Sequence, residues 1–257
     1  TVVVLQEAGF LVTIIDDLSN TNLKVLDNIA TITGKKPSFY EIDLKDKSKV
    51  DAFFETEKID GIIHFAAFKA VGESVEKPLA YYRNNIVGLL NVLDAMEQYQ
   101  LDHFIFSSSC AVFGQADQMP IDENTPLKRP ESPYGKTKAM GEEIISDFTK
   151  ASNKNAIALR YFNPVGSHKS SLLGDIPNGI PNNLLPYITQ TASGLRKQLA
   201  VFGNDYETRD GTAIRDYIDV NDLANAHLLA LQYLLDKKNK EQLEYFNLGS
   251  GTGSTVL

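Results

Sequence analysis

Short apolar runs alternate with longer amphipathic stretches over most of the chain. The runs that predict strands are Leu11–Asp16, Ser38–Asp43, Gly61–Ala67, His103–Ser109 and Ala156–Asn163. They are apolar almost throughout, which is typical of strands covered on both faces of a parallel sheet. The stretches of helical period between them fall at 21–33, 46–57, 78–99 and 134–152. This order predicts repeated βα units joined by right-handed crossovers.

The pattern changes after Asn163. Residues 164–183 are rich in Gly, Pro, Ser and Asn and predict a long loop. The later predicted elements are a helix near 183–194, strands at Leu199–Phe202 and Arg215–Val220, a helix near 221–236 and a strand at Glu244–Leu248. We expect an α/β fold in which residues 1–163 form a Rossmann-like, doubly wound parallel sheet that binds a nucleotide. Residues 164–257 are expected to form a smaller substrate lobe, with segments that return to the sheet.

The sequence patterns at both ends are typical of the interior of a larger domain. The stretch Thr1–Gly9 has no initiator methionine and reads as part of a helix that ends at a glycine. Leu248–Leu257 stops just after a glycine-rich turn. We therefore expect the first strand of the sheet and a C-terminal part of the lobe to lie outside this sequence.

Composition narrows the class of protein. Hydrophobic residues make up 43% and charged residues 23%, as in ordinary globular domains, which argues against disorder and coiled coil. The formal net charge of -8 disfavours general nucleic-acid binding. No apolar run approaches the ~20 residues that span a bilayer. Cys110 is the single cysteine, so an intramolecular disulfide is impossible and a reducing compartment, the cytoplasm, is expected.

The candidate chemistry centres on Tyr134, Lys138 and Ser109. Tyr134 and Lys138 are four residues apart at the start of a predicted helix and therefore share a face. An ammonium beside a phenol favours the phenolate, although lowering its pKa by three units requires about 4 kcal/mol. Ser109 ends a predicted strand, at the edge where open α/β sheets bind ligands. A Tyr-x-x-x-Lys pair alone also fits an ordinary amphipathic helix, but the three residues in these settings together predict a proton-transfer site.

Asp16 closes the first predicted strand of a nucleotide-binding sheet. An acid at this place accepts hydrogen bonds from the adenosine ribose, and Asp17 follows it with no arginine nearby, so NAD is favoured over its phosphorylated form. The turn Gly249–Gly253 resembles a phosphate loop but lies at the wrong end of the βα series, so we interpret it as a turn. The four histidines are scattered and no metal is expected. Cys110 has no paired base and is interpreted as a buried thiol.

Seven segments carry a resemblance to a known family: HFAAFKAVGESVEKPLAYYRNN (64–85), FIFSSSCAVFG (104–114), SPYGKTK (132–138), LRYFNPVGSH (159–168), GIPNNLLPYI (179–188), VFGNDYETRDGTAIRDYIDVNDLA (201–224) and YFNLGSGTG (245–253). With these, the sequence resembles the extended short-chain dehydrogenase/reductases, and among them the UDP-glucose 4-epimerases. The resemblance implies tightly bound NAD and interconversion of UDP-galactose and UDP-glucose through a 4-keto sugar. The sequence departs from the family in two places, because the phosphate-binding glycine turn and a C-terminal part are absent. We therefore expect residues 1–257 alone to be inactive.

The resemblance also implies roles for individual residues. Tyr134 matches the catalytic base, Ser109 its assistant, and Lys138 the lysine that binds the nicotinamide ribose. The implied cofactor residues are Asp16, Asp17, Asp43, Leu44, Phe65, Ala66, Lys69, Asn84, Ser107, Tyr134, Lys138 and Tyr161. The implied substrate residues are Lys69, Ser109, Tyr134, Phe162, Asn163, Asn183, Leu184, Ala200, Val201, Phe202, Arg215 and Tyr217.

Three rival functions stay open on the sequence. A UDP-N-acetylhexosamine 4-epimerase would share the whole site. A 4,6-dehydratase needs an acid–base pair where this chain has Cys110 and Ala111. A non-catalytic nucleotide-binding relative could use the same fold. The family also implies a UDP-hexose substrate and a homodimer formed through the helices at 78–99 and 134–152, with neither a nucleic acid nor a membrane as partner.

Overall fold

The computed structural model describes residues 1–175 and 183–257. The α-helices are α1 (Val2–Glu7), α2 (Lys24–Thr33), α3 (Lys47–Thr56), α4 (Val71–Glu76), α5 (Pro78–Gln98), α6 (Pro133–Ser152), α7 (Leu184–Ala192) and α8 (Val220–Leu235). The strands are β1 (Thr13–Asp16), β2 (Ser38–Glu41), β3 (Ile62–His64), β4 (His103–Ser109), β5 (Asn155–Tyr161), β6 (Asn163–Val165), β7 (Ile214–Asp219), β8 (Leu243–Leu248) and β9 (Gly253–Thr255). A short 3₁₀ helix, Cys110–Phe113, follows β4.

A four-stranded parallel sheet in the order β3-β4-β5-β8 forms the centre of the molecule. Strand β4 pairs with β5 from His103 opposite Asn155 to Ser109 opposite Tyr161. Six of its seven residues, including all three serines, are buried, as is typical of a strand covered on both faces. The parallel α/β architecture expected from the sequence is therefore confirmed.

Helices cover both faces of this sheet. Phe104 and Phe106 of β4 point into a core with α3, α5 and α6. Ile105, between them, points into a second core with α1 and α8. Because successive residues of a strand face opposite sides, one apolar strand supplies both cores. The result is a three-layer arrangement in which α6 and α8 lie on opposite faces of β4 and β5.

A deep groove separates the central sheet from a second parallel pair, β1 with β2. Among the described residues, β1 is hydrogen-bonded to β2 but not to β3. The groove has a volume of about 1470 Å³ and is lined by residues of both β1 and β3, including Ile14 and Ile63. This separation fits the expectation that a strand of the sheet lies outside the sequence.

Capping residues explain where the helices that frame the site begin. Ser132 precedes α6, and its hydroxyl oxygen accepts a hydrogen bond from the Gly135 amide at 3.1 Å. Pro133 follows in the first turn, where its missing N–H costs nothing. Asp219 caps α8 in the same way, accepting from the Asn221 amide at 2.7 Å. The sequence predicted both helices to within a residue at each end.

The chain beyond residue 163 contributes to two layers. β8 pairs with β5 in the central sheet, and α8 packs on it. β6, β7 and β9 form a separate small sheet in which β6 is parallel and β9 antiparallel to β7. None of the helices in the described ranges combines the length and apolar character needed to cross a membrane.

The structure corrects some of the predicted elements. The strand predicted at Leu199–Phe202 is wrong: these residues have no regular structure, and Phe202 is 87% exposed. Aromatic and β-branched residues favour a strand only where an edge is available to pair with them. Helix α4 and the short strands β6 and β9 were not predicted. The predicted loop 164–183 is partly β6, and its residues 176–182, which include the first part of the GIPNNLLPYI segment, lie outside the described residues.

Close contact between α6 and β4 gives a test of this packing. A Cβ added at Gly141 of α6 would lie 2.7 Å from Cζ of the buried Phe106. Overpacking costs about 1–3 kcal/mol, more than the helix propensity that alanine adds. We expect Gly141→Ala to lower the free energy of unfolding, measured by urea titration, by about 1 kcal/mol.

Gly72→Ala is the matched control. Gly72 is also helical, and nothing lies within 4 Å of a Cβ added there. We expect this variant to be as stable as the parent or more so, by up to about 1 kcal/mol. Equal stability of the two variants would contradict the packing described for α6.

Candidate active site

The end of β4 meets the start of α6, and this junction brings Ser109 and Tyr134 together. Ser109 is the last residue of β4, and its hydroxyl oxygen accepts from the Ala111 amide at 3.2 Å. Tyr134 is the second residue of α6. Gly135 allows the approach, because a Cβ there would lie 2.9 Å from Pro130 and 3.3 Å from Ala111. The Ser109 side chain lies close enough to the Tyr134 phenol to act on its pKa.

The chain's own groups raise the pKa of Tyr134. Burial is the largest cause, the Ser109 side chain opposes it, and Cys110 adds a smaller rise. This direction is opposite to the lowering that the sequence predicted for a phenol beside the Lys138 ammonium. The physical reason is that the Lys138 side chain is bound to the sheet below the phenol, and burial outweighs the remaining effects.

Lys138 is buried, with 4% of its surface exposed. Its Nζ donates a hydrogen bond to the Ser107 carbonyl and lies 4.9 Å from the centre of the Phe106 ring. Burial lowers the pKa of Lys138 to about 8, against the opposing effect of the Glu142 carboxylate. The ammonium is therefore held one turn of helix below Tyr134, close to its titration point at physiological pH.

A buried ion pair lies next along the same face of α6. Glu142 accepts from Arg160 of β5 at 2.9 Å to Nε and 2.8 Å to Nη2, and from the Ser108 hydroxyl at 2.5 Å. The guanidinium of Arg160 also lies over the rings of Phe113 and Tyr245. Sequence reasoning missed this cluster. The available signal was an acidic residue four positions after Lys138 on a buried helix face.

Tyr161 is the last residue of β5 and lies opposite Ser109 of β4. Its side chain contacts His227 of α8. The Tyr161 hydroxyl bonds His227 Nε2, and Nδ1 of the same ring lies 2.8 Å from the Leu223 carbonyl. Burial lowers the pKa of His227 to about 4, so the ring is neutral at pH 7. Nδ1 then donates to Leu223 and Nε2 accepts from Tyr161. Phe65 packs on the same imidazole at 4.7 Å between ring centres.

Eight of the twelve proposed cofactor residues line the groove, whereas Ser107, Tyr134, Lys138 and Tyr161 do not. Those that line it are Asp16, Asp17, Asp43, Leu44, Phe65, Ala66, Lys69 and Asn84. Asp16 accepts from the Leu18 amide at 2.7 Å, and burial raises its pKa. Partial burial raises the pKa of Asp43, but hydrogen bonds from the backbone and side chain of Lys45 lower it. The pKa of Asp43 is lowered as the net result. The groove thus presents carboxylates at the ends of two strands and amide and ammonium donors opposite them.

Asn85 fixes the loop that carries Phe65 and Lys69. Its Oδ1 accepts from the Phe68 amide at 2.8 Å, while Nδ2 donates to the Phe68 carbonyl at 3.1 Å. The same Nδ2 lies 3.0 Å from Thr137 Oγ1 on α6. One buried amide therefore ties the groove wall to the helix of Tyr134. The sequence analysis missed Asn85, whose neighbour Asn84 was named instead.

The proposed substrate residues lie in several separate places, unlike the cofactor residues that line the groove. Asn163 of β6 lies opposite Tyr217 of β7, and its Nδ2 donates a hydrogen bond to the Asp216 carbonyl at 3.0 Å. Phe162 lies between Tyr161 and Asn163 in the chain. Asn183 lines the groove and donates to Asp175 at 2.9 Å, with Leu184 following it at the start of α7. Arg215 is exposed and donates to the Ile214 carbonyl. Ala200, Val201 and Phe202 lie on exposed coil, and among the described residues they do not line the groove.

Other candidate groups do not join the site. The carboxylate of Asp216 accepts from the amides of Ser250 and Gly251 at 2.8 and 2.9 Å, so the turn Gly249–Gly253 has its N–H groups occupied. Burial raises the pKa of Cys110, which keeps it a thiol. The described residues contain no group of three or more His, Cys, Asp or Glu side chains placed to hold a metal ion.

Comparison with known proteins identifies the family of the chain. The NAD dependent epimerase/dehydratase family model matches residues 1–249. The UDP-glucose 4-epimerase of Bacillus subtilis is 48% identical over all of this chain and 75% of its own length. The structure resembles the UDP-glucose-4-epimerase of Stenotrophomonas maltophila with bound NAD and formylated UDP-arabinopyranose, at a TM-score of 0.93 and 43% identity over 99% of this chain and 75% of that one.

A second solved structure is equally similar. The UDP-glucose 4-epimerase of Bifidobacterium longum in complex with NAD+ and UDP has a TM-score of 0.93 and 42% identity, again over 99% of this chain and 75% of that chain. The chain therefore spans about three quarters of the length of these relatives. By sequence over nearly its whole length and by fold, the chain belongs to the NAD dependent epimerase/dehydratase family.

Proposed function

We propose that the natural protein is a UDP-glucose 4-epimerase that interconverts UDP-galactose and UDP-glucose with NAD as its cofactor. The observation that carries the proposal is that the start of α6 places Tyr134 beside Ser109 at the carboxyl end of β4, with Lys138 buried one helical turn further along. The relatives named above support the choice of reaction and sugar nucleotide.

The groove residues fit NAD. Asp16 places a carboxylate, an acceptor for ribose hydroxyls, at the end of β1, and the groove is long enough to reach from there to Phe65. Lys45 donates to Asn84 at 2.9 Å and pairs with Asp43 at 3.0 Å, which orders this wall. When bound, NAD supplies the hydride acceptor for C4 of the sugar and a positive charge near the phenol.

Tyr134 is proposed to act as its phenolate, whose oxygen would take the proton of the sugar 4-hydroxyl. Because burial raises the pKa of Tyr134, this form depends on the positive charges of Lys138 and of NAD when it is bound. The Ser109 side chain lowers the pKa of Tyr134, opposing the effect of burial. Lys138 adds a buried ammonium one turn away, which favours the phenolate as the proton moves. The resulting 4-keto sugar turns its other face to the site, and Tyr134 returns the proton as C4 is reduced again.

The rival reactions have less support. A 4,6-dehydratase needs an acid and a base after the serine, but Ala111 has no ionisable group and burial raises the pKa of the Cys110 thiol. A non-catalytic role has no need for Ser109, Tyr134 and Lys138 at one junction. Acceptance of N-acetylated sugars is a question for the same assay, with UDP-N-acetylgalactosamine as substrate.

A homodimer in the cytoplasm and a division at residue 163 complete the proposal. Helices α5 and α6 pack side by side, and their outer faces expose Leu79, Leu90 and Met140. An exposed apolar surface on two neighbouring helices supports association through them.

The cytoplasm suits a chain whose single cysteine is a free thiol. Residues 1–163 form the NAD-binding part and residues 164–257 the substrate lobe, with α8 and β8 returning to the sheet.

Removing the phenolic hydroxyl tests the proposed base. In the natural polypeptide, we expect Tyr134→Phe to lower kcat for conversion of UDP-galactose to UDP-glucose by at least about 10²-fold, as expected for loss of a general base. The content of bound NAD should be unchanged, because the ring is kept. Tyr99→Phe, which removes a hydroxyl bonded to the Asp51 carbonyl far from the site, is the control and should keep full activity. Near-normal turnover of Tyr134→Phe would refute the role.

Asp16 is expected to select NAD. Asp16→Ala should weaken NAD binding, measured by equilibrium dialysis, by about 10–100-fold, since hydrogen bonds to a charged group contribute about 1.5–3 kcal/mol. Glu41→Ala is the control, because Glu41 lies opposite Asp16 in β2 and is exposed. Equal loss in both variants would show that general acidity, rather than Asp16, governs binding.

A charge on the shared face of α5 and α6 tests the homodimer. We expect Leu90→Glu to convert a dimer into a monomer in light-scattering measurements of molar mass, because it places a carboxylate in a dry interface. Leu229→Glu on α8 is the control, since Leu229 is more exposed but lies on the other layer. A parent protein that is already monomeric, or a dimer unaffected by Leu90→Glu, would overturn this interface.

A further inference from the structure

Directly beneath the site, four polar side chains of three elements meet away from water. Glu142 and Lys138 lie on α6, Ser108 on β4 and Arg160 on β5, and all four are buried. Glu142 receives three hydrogen bonds, one from Ser108 and two from Arg160. The mechanism uses Lys138 but assigns nothing to Glu142.

We propose that Glu142 is a positioning residue that holds the Lys138 ammonium, charged and in place, beneath the Tyr134 phenol. This inference rests on the proposed function only for its effect on turnover. The arrangement of Glu142 and Lys138 is a property of the protein itself and can be measured without substrate.

The first argument is geometric. Ser107 and Ser108 are consecutive residues of β4, and each is bound by a different residue of α6: the Ser107 carbonyl by Lys138 and the Ser108 hydroxyl by Glu142. Two contacts one helical turn apart fix both the rotation and the height of α6 on the strand. Arg160 extends the attachment to β5 through a two-pronged contact, the geometry in which guanidinium and carboxylate bind most specifically.

The second argument is electrostatic. Burial disfavours the charged form of Lys138, and the Glu142 carboxylate is the charge that opposes burial there. The other titratable groups around Lys138 give no negative charge near neutral pH. His64 of β3 is buried, and burial lowers its pKa to about 3, so it is neutral. Burial raises the pKa of both Tyr134 and Tyr161, so the chain's own groups do not make either phenol a negative charge near neutral pH.

Arg160 does not cancel this effect at Lys138. Its guanidinium is on β5, lies over the rings of Phe113 and Tyr245, and binds the carboxylate through Nε and Nη2. The Glu142 carboxylate is the charged group that opposes the effect of burial on the pKa of Lys138. A nearby carboxylate favours an ammonium, so loss of Glu142 should lower the pKa of Lys138 further and leave more of it neutral.

The test removes the Glu142 carboxylate and does not leave Arg160 as an unpaired buried charge. Removing Glu142 alone leaves Arg160 buried and unpaired, which is strongly destabilising. The main variant is therefore Glu142→Met with Arg160→Met, an apolar pair of similar length that such sites tolerate. Glu142→Gln is the second variant, used where it folds. Each is made in the natural polypeptide with NAD bound, and folding is checked by circular dichroism and thermal unfolding.

Two measurements follow. The pKa of Lys138 is read from the ¹³Cε chemical shift of labelled lysine, with the Lys138 signal assigned by its loss in Lys138→Met. The pH dependence of kcat and KM is then measured with UDP-galactose. We expect the Lys138 titration to move about one pH unit below that of the parent. Because the protonated form is the active one, activity is lost as pH rises through this pKa. The basic limb of kcat should move down by the same amount, with KM unchanged.

Another ion pair on the same two strands is the matched control. Lys154 pairs with Asp102 at 2.8 Å at the amino ends of β5 and β4, opposite the site. Lys154→Met with Asp102→Asn should leave the Lys138 titration and the pH profile unchanged.

An unchanged Lys138 titration in the folded double-Met variant would overturn the inference and leave Glu142 a purely structural residue. A lowered titration in a protein that shows no epimerase activity would support the inference and refute the proposed function instead.

Discussion

The junction between the carboxyl end of β4 and the start of α6 is the constraint on which the site depends. Tyr134 meets Ser109, which is distant in sequence, only because the helix begins against the strand. Gly135 allows that approach and Ser132 starts the helix at the right residue. Further along, Gly141 lets α6 settle on Phe106. Small residues and a capping hydroxyl therefore determine the distance between two reactive groups.

Three charged side chains lie buried beneath this junction: Lys138, Glu142 and Arg160. An ammonium, a carboxylate and a guanidinium out of water are costly unless each is hydrogen-bonded. Here Lys138 has the Ser107 carbonyl, and Glu142 and Arg160 have each other. Such a network is tolerated where function needs a fixed charge, and its position under Tyr134 agrees with that reason.

Much of the fold follows from local pattern. β4 was predicted residue for residue because a short run with little alternation of polar and apolar residues is typical of a strand between two layers. Helix α6 was predicted because Ser-Pro marks its start. The predicted strand Leu199–Phe202 failed because strand formation depends on a partner edge, which a local pattern does not contain. Asn85 and Glu142 were missed for a related reason: their roles come from Phe68, Ser108 and Arg160, which are remote in sequence.

The contact between His227 and Tyr161 joins the two halves of the chain more closely than a boundary at residue 163 implies. Helix α8 supplies the imidazole against which both Tyr161 and Phe65 pack, and β8 covers the outer edge of β5. A polypeptide ending at residue 163 would leave that edge bare and both aromatic rings without support. The nucleotide-facing half is thus unsuited to excision as an autonomous module, and chimaeras that exchange the second half would need to carry α8 and β8 along with their native sheet.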